Sequence, residues 1–318
     1  MSGRHVLVTG GAGFIGSHLV EALVNRGDRV RVLDSFDPYY DPAIKRANIA
    51  AVADRIELLE GDLRDLALLA QAVDGVDCVV HLAARAGVRA SLRRPVSYMQ
   101  VNVAGTQGLL EAMRVAGVTQ LVAASSSSVY GTRTQGPFCE SDPLGVPASP
   151  YAASKYAMEV ICRTWQQLFD LQLTMLRFFT VYGPRQRPDM AIHGFAKKIL
   201  AGQPITMYGD GSTLRDYTYI GDIVRGLLAS VDRPLPCAVL NLGNTNPVRL
   251  DSLIRTLGRA LGREVTVERT GLQPGDVPLT WADVSLANQL LGYQPVTSLG
   301  QGLSAFVRWL EQEQCGPA

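Results

Sequence analysis

The stretch "VTGGAGFIGSHL", Val8–Leu19, follows the β-branched run "HVLV" and opens an amphipathic segment that reaches Arg26. Gly10, Gly13 and Gly16 give it the spacing GxxGxxG. Between a strand and a helix each glycine has a separate task. Gly10 permits the tight turn, Gly13 lets backbone approach a pyrophosphate, and Gly16 lets the helix pack closely on the strand. The helix N-terminus at Phe14 and Ile15 then turns free N–H groups and a positive dipole end toward the phosphates. A plain glycine-rich turn is the bland alternative, but the strand before it and the helix after it favour a dinucleotide.

Outward from this stretch, short apolar runs alternate with helical patterns. "RVRVLD", "IELLEGD", "CVVHLAA", "QLVAASS" and "LTMLRFF" are separated by amphipathic stretches that include Asp65–Val73, Val96–Ala116 and Tyr151–Leu168. Continuous apolar strands are what a parallel sheet covered on both faces requires. The expected fold is α/β: a Rossmann-like doubly wound parallel sheet with a smaller, mostly helical C-terminal substrate domain. Pro184 and Pro188 interrupt the rhythm. Helices are expected beyond them at Ala191–Ala201, Gly221–Ser230, Leu250–Leu261 and Leu299–Glu311, and "VLNLG" returns to the sheet. The expected division is 1–179 with 217–244 for the dinucleotide, and 180–216 with 245–318 for a substrate. Asp34 ends the second strand, about twenty residues past the glycines, where a carboxylate accepts ribose hydroxyls and repels a 2′-phosphate. NAD is therefore expected over NADP. Asp62 suits either an adenine contact or the cap of the following helix.

The composition excludes several classes. A chain of 318 residues with 47% apolar and 19% charged residues suits one large or two intimate domains. A net charge of +1 leaves no footprint for nucleic acid or a membrane surface. No run nears the length of a membrane span, and "MSGRHVLVTG" enters a strand without a leader layout. The five cysteines, Cys78, Cys139, Cys162, Cys237 and Cys315, are scattered and lack CxxC spacing. A reducing cytoplasm is expected, with no disulfide and no metal.

In "PYAASKYAMEV", Tyr151 and Lys155 stand four apart at the start of a helix, so phenol and ammonium share a face. An ordinary tyrosine is a poor base, with a pKa near ~10. A neighbouring ammonium and a positive nicotinamide ring bring it toward a useful range. The pattern YxxxK also occurs on solvated helices. Here it follows a glycine-rich nucleotide turn and the serine-ended strand "SSSSVYG", Ser125–Gly131.

With these motifs the chain resembles the extended short-chain dehydrogenase/reductase family, in its nucleotide-sugar epimerase branch. "TGGAGFIGSHL", "EGDLRD", "HLAARAGVR", "VNVAGTQGLLEA", "PYAASK", "RFFTVYGPRQRPDM" and "RDYTYIGDI" carry the likeness along almost the whole length. The resemblance implies that Tyr151 is the base on the sugar 4-hydroxyl, Lys155 binds the nicotinamide ribose, and Ser126 steadies the proton. It implies oxidation at C4 by NAD⁺, rotation of the 4-keto sugar and return of hydrogen to the other face, with NAD retained. It extends the cofactor set to Ser35, Leu63, Leu82, Ala83, Ala84 and Asn102, and implies a homodimer through Val96–Ala116 and Tyr151–Leu168.

Members that eliminate water or CO₂ carry carboxyl groups after the catalytic hydroxyl, where this chain has Ser127 and Ser128. Hydroxyls hold a ketone without pushing it onward, so simple epimerisation is expected. "FFTVYGPRQRPDM", "DPYYDPAIKRANI" and "AGVRAS" look most like UDP-glucuronate 4-epimerases. By that likeness Thr180 and Arg187 meet the C6 carboxylate, a guanidinium pairing it bidentately. A surface salt bridge is the alternative for Arg187 and the favoured reading of Arg185. Arg215 matches a diphosphate arginine, Thr206 and Tyr208 the uracil contacts, and Arg89 and Asp276 complete the UDP-sugar set. The chain departs from the pattern at Gln273, where arginine is usual, at Ser35, where asparagine is frequent, and at Arg85, where a smaller or amide side chain is common. The competing expectations are a 4-epimerase of UDP-glucose or UDP-N-acetylglucosamine and a non-enzymatic NAD-binding sensor.

Overall fold

The computed structural model describes residues 3–271, 273 and 275–315. Its strands are β1 (His5–Thr9), β2 (Arg29–Asp34), β3 (Ile56–Glu60), β4 (Cys78–His81), β5 (Gln120–Ser126), β6 (Gln172–Phe178), β7 (Thr180–Tyr182), β8 (Ile205–Tyr208), β9 (Leu214–Tyr219), β10 (Cys237–Leu242), β11 (Pro247–Arg249) and β12 (Val267–Thr270). Seven of them form one parallel sheet in the order β10-β6-β5-β4-β1-β2-β3. The order reverses beside β1, which has β2 on one side and β4 on the other. Loops leaving the carboxyl ends of these strands diverge there and open the crevice used by ligands of such sheets.

Both faces of the sheet are covered, which explains the unbroken apolar strands. All of β1 is buried. Its Val6 and Val8 join one core cluster with Leu19 and Leu23, while Leu7 joins another with Leu109 and Met113. A third cluster, including Ile192, Ile205, Leu253 and Phe306, forms among the later elements. No helix among the described residues is long and apolar enough to cross a membrane.

Two glycines of the opening stretch are required sterically. Gly10 has φ +70°, and a Cβ there would lie 2.8 Å from Ala83 backbone. A Cβ on Gly16 would lie 2.2 Å from the Gly10 carbonyl oxygen, so the helix Phe14–Arg26 could not approach the turn. The expected helix Val96–Ala116 is instead Pro95–Tyr98, a wide π-turn Met99–Gly105, and Thr106–Ala116. The helices Pro42–Ile49, Val88–Arg93 and Ser285–Leu291 went unforeseen, being short pieces of six to eight residues.

One buried chain of hydrogen bonds fastens this framework to the site. Ala83 N–H donates to Thr9 Oγ1 at 3.2 Å, and Thr9 donates to His81 Nδ1 at 2.8 Å. His81 Nε2 meets Thr106 Oγ1 at 3.0 Å, and Thr106 donates to the Asn102 carbonyl at 2.7 Å. Because that carbonyl takes the Thr106 proton, the ring carries its own proton on Nε2. Asn102 Nδ2 donates to Ser154 Oγ at 2.9 Å, and Ser154 donates to the Tyr151 carbonyl at 2.8 Å.

His81 is 2% exposed, and burial, helped by the Lys155 charge, pushes its pKa down to about 3. A ring that is neutral when folded and protonated when unfolded contributes stability above pH ~6.5 that is lost as pH falls toward the folded value. Denaturant titrations should show unfolding free energy dropping with this histidine's share, about 1.4 kcal/mol per pH unit between roughly pH 6 and 4. His81→Asn should remove that share; an unchanged slope would contradict the buried neutral ring.

Candidate active site

The carboxyl ends of β1, β2, β4 and β5 and the loops beyond β6 enclose a cavity of about 520 Å³. At one end the glycine turn supplies Gly10, Gly13, Phe14, Ile15 and Gly16. A Cβ at Gly13 would meet only the Gly10 carbonyl oxygen, at 3.2 Å, so a pocket is left for a phosphate. Among the described residues no side chain caps the helix that begins there, and its first N–H groups are free for an anion. These features fit the dinucleotide pyrophosphate.

Asp34, buried at the end of β2, lines the same cavity. Its Oδ1 accepts from Phe36 N and Lys45 Nζ, and its Oδ2 from Ala12 N. Most of the capacity left for a ribose is therefore on Oδ2. Lys45, unforeseen, partly offsets the charge that disfavours a 2′-phosphate. Ser35, Asp62, Leu63, Leu82, Ala83 and Ala84 also lie on the wall. Asp62 does not cap the next helix; Asp65 does, accepting from Ala67 N and Leu68 N. Asp62 instead pairs with Arg64 at 2.8 Å.

Asn102 stands apart from the other residues of the expected cofactor set. It is buried behind the wall, where its amide accepts from Arg85 N at 2.7 Å and donates to Arg85 O at 2.9 Å. It holds the loop that faces the cofactor site and does not line the cavity itself.

At the centre stand Ser126, Tyr151 and Lys155. Burial pushes the Tyr151 phenol up, while a hydrogen bond with Ser126 and the Arg187 charge pull it back. Lys155 Nζ donates to the Ala124 carbonyl at 2.7 Å, and burial lowers its pKa to about 8. The ring of Tyr98, missed in the sequence, meets Tyr151 edge-on at 6.2 Å.

The serine row divides. All four residues, Ser125 to Ser128, line the cavity, but their hydroxyls have different partners. The Ser126 hydroxyl accepts from Ser128 N at 3.1 Å, and Ser128 Oγ is buried without a partner among the described residues. The Ser125 hydroxyl donates to Glu159, which is locked to Arg177 at 2.8 Å with both side chains 4% exposed. Arg177 also donates to Tyr130 Oη, and Tyr130 to Asn241.

Thr180 and Arg187 reach the wall from beyond β6. The Arg187 fork is engaged: Nε and Nη2 donate to the two oxygens of Asp189, each at 2.9 Å. The Nε–Nη2 edge of the guanidinium is thus taken, and its Nη1–Nη2 edge keeps three N–H donors for a second carboxylate. Burial opposes the charge on both partners, but their contact keeps Arg187 raised and Asp189 lowered. Tyr39 donates to Asp189 at 3.1 Å and lies under the Arg187 cation. Arg185 pairs with Glu21 near the surface, as the favoured reading expected.

Arg215 and Asp276 line the far end. Arg215 has no carboxylate at salt-bridge distance among the described residues; it donates to Leu214 O, and burial lowers its pKa. An anion would relieve that burial. Arg89, Thr206 and Tyr208 are not on the wall. Arg89 is exposed, stacked on the Tyr208 ring at 4.4 Å and paired with Asp276 at 3.3 Å, so Arg89 and Tyr208 form a rim beside that end of the cavity. Gln273 is described, whereas its neighbours Leu272 and Pro274 lie outside the described residues.

Comparison with known proteins agrees with this geometry. Residues 6–243 match the NAD dependent epimerase/dehydratase family. The chain is 46% identical to UDP-glucuronate 4-epimerase 4 of Arabidopsis thaliana, over 97% of this chain and 75% of the plant protein. It is 40% identical to UDP-glucuronate 4-epimerase of Thermodesulfobacterium geofontis, over 97% and 96%. The structure of UDP-glucuronic acid 4-epimerase from Bacillus cereus, in complex with UDP-glucuronic acid and NAD, superposes with a TM-score of 0.91 at 38% identity, covering 97% of this chain and 99% of that one. With a glycine turn shaped for a pyrophosphate and a Ser–Tyr–Lys centre at the sheet's switch point, the chain belongs to the NAD dependent epimerase/dehydratase family.

Proposed function

We propose that this chain interconverts UDP-glucuronate and UDP-galacturonate by epimerisation at C4. The observation that carries the reading is the meeting of Ser126, Tyr151 and Arg187 in one cavity whose serine segment bears no carboxylate. Bound at the glycine turn, NAD⁺ would supply the redox chemistry by taking hydrogen from C4 and giving it back. Tyr151 takes the 4-hydroxyl proton and later returns it, with Ser126 donating to the developing phenolate. The Arg187 charge favours that ionised form. Lys155, held by the Ala124 carbonyl, is placed to bind the nicotinamide ribose. Arg215 suits the diphosphate of the sugar nucleotide, and Asp276 its ribose.

Oxidised glucuronate is a β-keto acid, which loses CO₂ when the breaking bond aligns with the carbonyl π system. Thr180, Ser127, the Ser128 hydroxyl and the Nη1–Nη2 edge of Arg187 are the groups suited to hold the carboxylate out of that alignment. Asp189 and Tyr39 fix the Arg187 fork, which makes the arginine a stiff post instead of a mobile cation.

The same reading divides the chain into an NAD-binding domain, 1–179 with 217–244, and a nucleotide-sugar domain, 180–216 with 245–318. It places the protein in the cytoplasm, and makes it a homodimer. Val96, Met99, Val160 and Leu168 are exposed apolar residues on the two helical regions expected to pair. Val160→Glu should convert a dimer to monomer in light scattering; a monomeric parent protein would refute that part.

Overnight incubation with UDP-glucuronate, followed by NMR, should show axial and equatorial C4 products without pentose. UDP-glucose should turn over much more slowly; equal rates would favour a neutral-sugar epimerase. In Arg187→Ser the ratio of 4-keto-pentose to epimer should rise at least several-fold, and an unchanged mixture would remove the carboxylate role.

A further inference from the structure

The loops leaving β2 and β4 meet across the crevice. Arg85 Nη2 donates to Asp37 Oδ2 at 2.6 Å, and the two side chains are 23% and 31% exposed. Because β2 and β4 flank β1, this pair spans the carboxyl end of β1, where the Gly10–Gly16 turn begins. A dinucleotide in an open α/β sheet lays its pyrophosphate there. Both residues line the cavity, and neither belongs to the cofactor set that the motifs suggested.

Two further observations mark Arg85 as built for a ligand. Its backbone is clamped at both N and O by the Asn102 amide, so the guanidinium starts from a fixed point. Its Nε is buried and has no hydrogen-bond partner among the described residues. A buried donor left without an acceptor is costly, and an anionic oxygen in the cavity would satisfy it.

We propose that Arg85 and Asp37 form a charged clasp over the dinucleotide. Arg85 gives Nη2 to Asp37 and Nε to a pyrophosphate oxygen, and the cofactor leaves only when the pair opens. The proposal rests on the reading above that NAD stays bound from one turnover to the next. A partly exposed ion pair adds little to fold stability by itself. With a dinucleotide beneath it, water is displaced and the same pair is screened less, so it acts mainly on release.

The test is the NAD content of the purified protein and the rate at which excess unlabelled NAD displaces bound radiolabelled NAD, at low and high salt. The parent protein should carry NAD and release it slowly, faster at high salt. Arg85→Gln and Asp37→Asn should each release it several-fold faster and lose most of the salt dependence. The double exchange Arg85→Asp with Asp37→Arg should recover part of the retention, which a merely local packing defect would not. Release at the parent rate from both single variants would overturn the clasp, as would slower release, which would mean that the pair blocks access. A parent protein that binds no NAD would overturn the resident-cofactor reading itself, a result distinct from normal retention in the variants.

Discussion

The chemistry of this site turns on a conflict at one phenol. Tyr151 has to become anionic in a cavity whose burial resists charge, and burial is the largest influence on it. Two groups counter that resistance, the Ser126 hydroxyl by hydrogen bonding and the Arg187 guanidinium at longer range. Asp189 does not cancel Arg187 but anchors it, since their contact keeps the guanidinium protonated and the carboxylate ionised. The same cation thus serves the base and faces the position proposed for the substrate's acid group. Tyr151 itself is held from behind by Ser154, Asn102, Thr106 and the neutral His81.

The serine row reflects the same electrostatic constraint. A free carboxylate near the 4-keto sugar would oppose phenolate formation and would offer a base for elimination or a proton for a decarboxylated product. The nearby Glu159 is removed from both roles by Arg177 and by the Ser125 hydroxyl. A buried pair of this kind is poor evidence for stability, because desolvation offsets much of its attraction. Its consequence here is an oriented floor beneath a row of neutral hydroxyls. All four serines line the cavity above that floor, and the Ser125 hydroxyl is bonded down to it.

Much of this was legible because it is local. The glycine spacing, the apolar strands and the i,i+4 pair Tyr151–Lys155 each need only a few adjacent residues to be read. The contacts that were not legible depend on distant partners. Asn102 has the right type for a cofactor contact, but a π-turn aims its amide at Arg85 backbone. Arg89 and Tyr208, far apart in sequence, stack together on the rim. Lys45 sits beside Asp34 only because the helix Pro42–Ile49 folds back over the end of β2, and sequence spacing alone did not show it. His81 reads as part of an apolar strand, yet its two threonine partners come from β1 and from the helix after the π-turn.

The most direct test of the central claim is the turnover of Tyr151→Phe with UDP-glucuronate, measured together with its bound NAD. Loss of the phenolic oxygen should cut kcat by at least about a hundredfold, the usual scale of a positioned acid–base group, while NAD remains bound. Turnover near that of the parent protein, with cofactor in place, would contradict the account.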